Sequence, residues 1–131
     1  MSRREMREHI FRLIFRMDFH PEEEMTEQED FYLDNLVGLS DEERQYIQNK
    51  ADAVRGMKEA LDEQINAVAD KWTTGRMMKV DLTIIRLASY EILHDPDVPT
   101  GVAINEAVEL AKRYGTDQSA AFVNAVLAKL A

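Results

Sequence analysis

Three arginines crowd the first seven residues, and they are the side chains best suited to chemistry with a polyanion. Arg3, Arg4 and Arg7 each carry a permanent positive charge on a planar fork of N–H donors, the geometry that grips phosphate. Nothing comparable supports catalysis. His9, His20 and His94 lack metal-ligand spacing and fall in different segments, and no Gly-rich phosphate loop, nucleophile elbow or HExxH occurs. The absence of cysteine excludes disulfides, thiolate metal sites and cysteine catalysis, and it fits a reducing cytoplasm. Carboxylates such as Glu106 and Glu109 share one helical segment, where surface or capping roles are the common ones. Arg86 with Glu91, and Asn105 with Glu106, can serve a partner, but tying helices together is the favoured reading. No active site, metal or cofactor is expected.

The elements that position these residues read as helices. Ser2 and Glu5 make a capping box, so a first helix starts at Arg3, with Met6, Ile10, Leu13, Ile14 and Met17 as its apolar stripe. The three arginines then fall in its first turn and a half, pointing off that stripe. Cations oppose the macrodipole there, at about a few tenths of a kcal/mol each. On residue chemistry alone a solvated polar face accounts for them. His20-Pro21 ends this helix and Glu22-Glu23-Glu24 reads as an acidic loop. Thr26 with Glu29, and Ser40 with Glu43, repeat the capping-box pattern. The first precedes a short helix through Phe31, Leu33, Leu36 and Val37 that stops at Gly38. The second precedes a long helix running from Tyr46 to near Trp72, with Gly56 as a candidate kink.

Three more helices follow. Val80, Ile84, Leu87, Ala88 and Leu93 recur at helical spacing until Asp95-Pro96-Asp97. Val98-Pro99-Thr100 turns into a run with Ile104, Val108 and Ala111 on one face and Gly115 after it. Thr116 or Asp117 can cap the last, where Phe122, Val126 and Leu130 align. Methionines such as Met57, Met77 and Met78 suit core gaps.

The 131 residues suit a single all-α domain, 1–131, of about seven helices. Hydrophobic residues at 45% and charged ones at 31% match a soluble globular protein, and no apolar run approaches the roughly 20 residues that cross a bilayer. The charged N-terminus lacks a small-residue cleavage site, so no signal peptide is expected. A net charge of −9 argues against general nucleic-acid binding, but its distribution is uneven. Residues 1–20 carry a net of +2, residues 21–66 a net of −10, and the remainder a net of −1. A polyanion would be met at the N-terminus.

The segments VDLTIIRLASYEI, DVPTGVAINEAVELAKRYG and FVNAVL, with Arg3-Arg4 and Arg7-Glu8 before them, resemble the signature blocks of the NusB family of transcription antitermination factors. The resemblance covers essentially the whole chain in order. It implies two small helical bundles packed across each other. It also implies pairing with NusE, a small-subunit ribosomal protein, and binding of boxA-type single-stranded RNA. That pair joins an antitermination complex on RNA polymerase at ribosomal RNA operons. Residue by residue, Arg3, Arg4 and Arg7 match the family's RNA-contacting arginine motif, and Phe122 matches an aromatic placed to stack on a base. Asp81 matches an acidic position facing NusE, and Phe15 an aromatic that packs on it; both are expected on one exposed surface. Glu5 and Met6 stand where the family often has Arg and Ala, and Phe15 where Tyr is usual. Ala121 replaces a basic residue, and Ala125 the Gly of FVNGVL. The alternative is a protein-only scaffold or homodimer of the same fold with little RNA affinity.

Overall fold

The computed structural model describes residues 1–131 and contains seven α-helices, two 3-10 turns and no strand. In order these are α1 (Arg3–Met17), α2 (Met25–Asp34), α3 (Asp41–Gly56), α4 (Lys58–Val68), α5 (Lys79–His94), α6 (Thr100–Tyr114) and α7 (Ser119–Leu130). The all-α reading holds. The chain forms two compact units, Met1–Gly56 with the first three helices and Met57–Ala131 with the other four. No helix is long and apolar enough to cross a membrane.

In the N-terminal unit α1 packs on α2 and α3, and Ile10, Leu13, Met17, Leu33 and Ile47 are fully buried between them. Two of the three capping boxes form as expected. The Ser2 hydroxyl accepts from the Glu5 amide (3.1 Å) while Glu5 Oε1 accepts from the Ser2 amide (3.3 Å). Ser40 and Glu43 repeat the exchange at 3.1 and 3.0 Å. Glu43 also receives the N-terminal ammonium of Met1, which with the Ser40 bonds pulls its carboxyl down to about 2.

The Thr26–Glu29 box does not form. A 3-10 turn, Glu22–Glu24, leads directly into α2, and Glu29 turns inward to Asp52 and Gln48 of α3. Burial, and then the hydrogen bond to Asp52, push its carboxyl up to about 7. Leu33 is the member of the expected α2 stripe that is buried, while Phe31 and Val37 are exposed. Gly38 has φ +75°, a left-handed turn before α3 that favours glycine.

The long helix expected to reach Trp72 is two helices. Gly56 closes α3, Met57 leaves helical geometry, and α4 ends at Val68. Val54 and Leu61, seven residues apart, are both buried, so the apolar period runs through the break and conceals it.

In the C-terminal unit α5 is the central helix, with α4, α6 and α7 against it. Every residue from Asp81 to Ser89 is buried, the pattern of a helix surrounded on all sides. Arg86, 5% exposed, donates through Nε and Nη2 to the two carboxylate oxygens of Asp62 at 2.7 Å each. This bidentate pair locks α5 to α4, so Arg86 ties helices together. On α6 the inward residues are Ala103, Ala107, Leu110 and Ala111. Ile104 and Val108 lie only half-buried beside that stripe. The alanines let the helices approach closely, which outweighs the larger apolar side chains. On α7 the buried set is Ser119, Val123, Val126 and Leu127, so Phe122 and Leu130 lie at its margin.

Candidate nucleic-acid interface

The capping box at Ser2 fixes the start of α1 and with it the arginines. Arg3 and Arg4 are exposed, as a phosphate contact requires. Arg7 is 7% exposed and does not point off the apolar stripe. It lies three, four and seven residues before Ile10, Phe11 and Ile14, all buried, so helical geometry places it on their side. The arginine cluster therefore presents two cations to solvent and a third from within the packing.

Further along α1, Phe15 is half-buried between two rings. Phe11 stacks on it with centroids 6.0 Å apart, and Phe19 meets it edge-on at 5.1 Å. Phe19 and Phe31 are among the large hydrophobic side chains left exposed, and the Arg16 guanidinium lies 5.8 Å from the Phe31 centroid. The N-terminal unit thus carries an exposed aromatic surface that includes Phe15.

The C-terminal unit carries a pocket of about 210 Å³. The α4–α5 connection supplies Trp72, Arg76, Met77 and Met78, and α5 supplies Asp81. Thr116, Gln118, Ser119 and Phe122 complete the lining from the start of α7. Local chemistry holds each wall. Asn66 Oδ1 accepts from the Thr74 amide (2.8 Å) and its Nδ2 donates to Thr74 Oγ1 (3.3 Å), pinning the connection to α4. Arg76 Nη1 donates to the Lys71 carbonyl at 3.1 Å, closing a short loop around Trp72. On the other side Ser119 Oγ accepts from the Thr116 amide at 3.0 Å, and neither Thr116 nor Asp117 is the helix cap. A Cβ on Gly115 would lie 2.4 Å from Ser119 Oγ and 2.8 Å from the Ala111 carbonyl, so this turn requires glycine.

Within the pocket Phe122 meets Trp72 edge-to-face, with centroids 6.2 Å apart and planes at 78°. Lys71 Nζ and the Arg76 guanidinium lie 5.9 and 5.5 Å from the Trp72 centroid. Aromatic faces with cations beside them suit a base and its phosphate. Asp81 is not on an open surface. It is 7% exposed, and its Oδ1 is buried with no hydrogen-bond partner. As the third residue of α5 it suits the helix dipole, but its packing withdraws it under the pocket rim. The structure therefore brings Asp81 together with Phe122 in one pocket of the C-terminal unit, while Phe15 belongs to the N-terminal unit.

Sequence reasoning missed Trp72 and Arg76 as site residues. A usable signal was present: the chain's single tryptophan has Lys71 beside it and Arg76 four residues on, in a Thr- and Gly-containing loop.

The sequence matches the NusB family over residues 4–131. It is 52% identical to the transcription antitermination protein NusB of Agathobacter rectalis over 131 residues, covering 100% of each chain. It is 47% identical to the protein of that name from Lachnoclostridium phytofermentans over 130 residues, covering 99% of this chain and 98% of the relative. A solved T. maritima NusB structure is similar with a TM-score of 0.85 and 30% identity, over 99% of this chain and 90% of the other. With pattern, relatives and fold in agreement along nearly its whole length, the chain belongs to the NusB family.

Proposed function

We propose that this chain is a transcription antitermination factor that binds boxA-type single-stranded RNA together with NusE, within an RNA polymerase complex on ribosomal RNA operons. The observation that carries this reading is the Trp72–Phe122 pair flanked by Lys71 and Arg76, in a chain otherwise strongly acidic. Unstacked bases of single strands are bound by stacking on such side chains, at about 1–3 kcal/mol per base. Arg3 and Arg4 add phosphate contacts, and Arg7, 7% exposed, adds positive charge from the packed side of α1. Phe15, with Phe19 and Phe31 near it on the aromatic surface, is the docking face for NusE; exposed apolar patches mark such contacts.

With a net charge of −9 the chain alone binds RNA weakly, and a basic partner raises the affinity. Titration of a boxA oligonucleotide with and without NusE tests this. Cooperative tightening that is lost in the Phe122→Ala variant supports the reading. Stable pairing with NusE, or self-association, without RNA affinity at low salt would leave a protein-only scaffold.

A further inference from the structure

We propose that a proton shared between Glu29 and Asp52 clasps α2 to α3, so that α2 and the aromatic side chain it presents are seated in acid and loosened at neutral pH and above. The consequence for docking rests on the reading of that aromatic surface as the NusE face; the clasp itself does not. α2 buries only Met25, Glu29 and Leu33, spaced four residues apart so that they form one inward stripe. The centre of the stripe is a carboxyl, 7% exposed and hydrogen-bonded to Asp52 of α3. Two ionised carboxylates are both acceptors, so this bond exists only while one of them carries a proton. Burial, and then the bond to Asp52, keep that proton on Glu29, whose carboxyl is pushed up to about 7. Once Glu29 ionises, the middle of the stripe holds a negative charge against another. Phe31, exposed on the same short helix, moves with it.

The neighbouring charges do not replace the proton. From α3, Gln48 also bonds Glu29 and Arg55 attracts it. Arg55 Nη2 lies 3.5 Å from Asp52 Oδ1 along the same helix, so a single guanidinium serves two carboxylates. Arg44, the other α3 cation on this side, is taken by Asp30 and Asp34, exposed on α2. From α1, Arg12 acts on Tyr32 and Arg16 lies over Phe31. His9 Nδ1 meets the Tyr32 hydroxyl at 2.7 Å and is the second titratable link between α1 and α2. Its sign is opposite. Burial, and then Arg12, hold its imidazole below the usual range, so the neutral ring suits the fold and its contribution grows as pH rises. Loosening of α2 with rising pH is therefore the signature of Glu29 and not of His9.

Hydrogen exchange of the full chain tests the clasp, expressed as protection factors so that the intrinsic pH dependence of exchange is divided out. Protection of the α2 amides should fall by up to about tenfold per pH unit between pH 5 and 7, the limit for one proton, and then level off. Glu29→Gln, whose amide donates to Asp52 without titrating, should hold that protection at one level across the range. The Glu29 carboxyl carbon, followed by NMR in the unaltered protein, should titrate near 7, a result independent of how any variant folds. A midpoint near 4.5, flat protection in the unaltered protein, or a fall that persists in Glu29→Gln would each overturn the clasp. NusE affinity should drop from pH 6 to 8 by at least about threefold more in the unaltered protein than in Glu29→Gln, because only the seated fraction docks. Equal drops in the two proteins would take NusE off α2 and overturn the docking consequence, with the exchange result still deciding the clasp. Absence of NusE binding at every pH would remove the docking reading itself.

Discussion

The N-terminal unit presents its cations on the open first turn of a helix, whereas the C-terminal unit holds its cations against an aromatic ring beside a pocket. Arg3 and Arg4 stand in water, where their attraction for phosphate is long-ranged, unselective and screened by salt. Lys71 and Arg76 lie on Trp72, next to Phe122, where contact depends on the shape and the flat faces a guest presents. The difference teaches that the two regions contribute separable quantities. In the proposed RNA complex, Arg3 and Arg4 would add to the salt dependence of binding, and Phe122 would add a stacking contribution that salt leaves nearly unchanged. The scaffolds differ in the same sense: the pocket adjoins a helix buried from Asp81 to Ser89, and the arginines sit on a capped helix end.

Breaking the scaffold of the pocket gives the largest effect. Asp62→Ala leaves the buried guanidinium of Arg86 without its bidentate partner and should lower stability by about 3 kcal/mol. Urea denaturation measures the loss, and Trp72 fluorescence should report it. A change within about 0.5 kcal/mol would mean that Arg86 is held by its other neighbours.

A mid-sized effect belongs to the N-terminal unit and depends on pH. Glu29 keeps its proton up to about 7 when folded and releases it near 4.5 when unfolded. Its contribution is therefore complete below 4.5 and disappears as pH rises through 7. Solvent screening at the edge of the Glu29–Asp52 cluster reduces the span to about 1–2 kcal/mol. Glu29→Gln should flatten stability between pH 5 and 7.5, followed by thermal melting. An unchanged slope would show that the carboxyl is ionised in the fold.

The smallest effect sharpens the comparison at the arginines. Ser2→Ala removes the cap that orders the first turn of α1, at about 1 kcal/mol of local helix stability. Hydrogen exchange should accelerate at the first amides of α1 and stay unchanged around Trp72. Equal protection in both proteins would show that the N-terminal ammonium and Glu43 suffice to hold the turn.

Much of this scaffold could be read from the chain, and the limits have physical causes. Ser2–Glu5 and Ser40–Glu43 announced their helices because capping is a local exchange between a hydroxyl, a carboxylate and two amides. Thr26–Glu29 shows the same letters, yet its Glu is taken by Asp52 and Gln48, residues more than eighteen positions away. Arg7 misleads because a charged side chain sits at the helical spacing of buried neighbours. The alanine stripe of α6 misleads in reverse, since close helix approach selects small residues over Ile104 and Val108. The arginines and Phe122 stand out from the sequence through the family's blocks. Trp72 and Arg76 do not, because their place depends on Asn66 pinning Thr74 and on the turn at Gly115.

The separation of the two regions is tested most directly by the salt dependence of RNA affinity with NusE present. Each phosphate neutralised on a single strand contributes about −0.7 to the slope of log affinity against log salt. Arg3→Ala with Arg4→Ala should flatten that slope by about 1.4. Phe122→Ala should weaken binding by about 1–3 kcal/mol and keep the slope within a few tenths of the unaltered protein. A Phe122 variant that changes only the slope, or an arginine variant that leaves it untouched, would contradict the division of labour between charge and stacking.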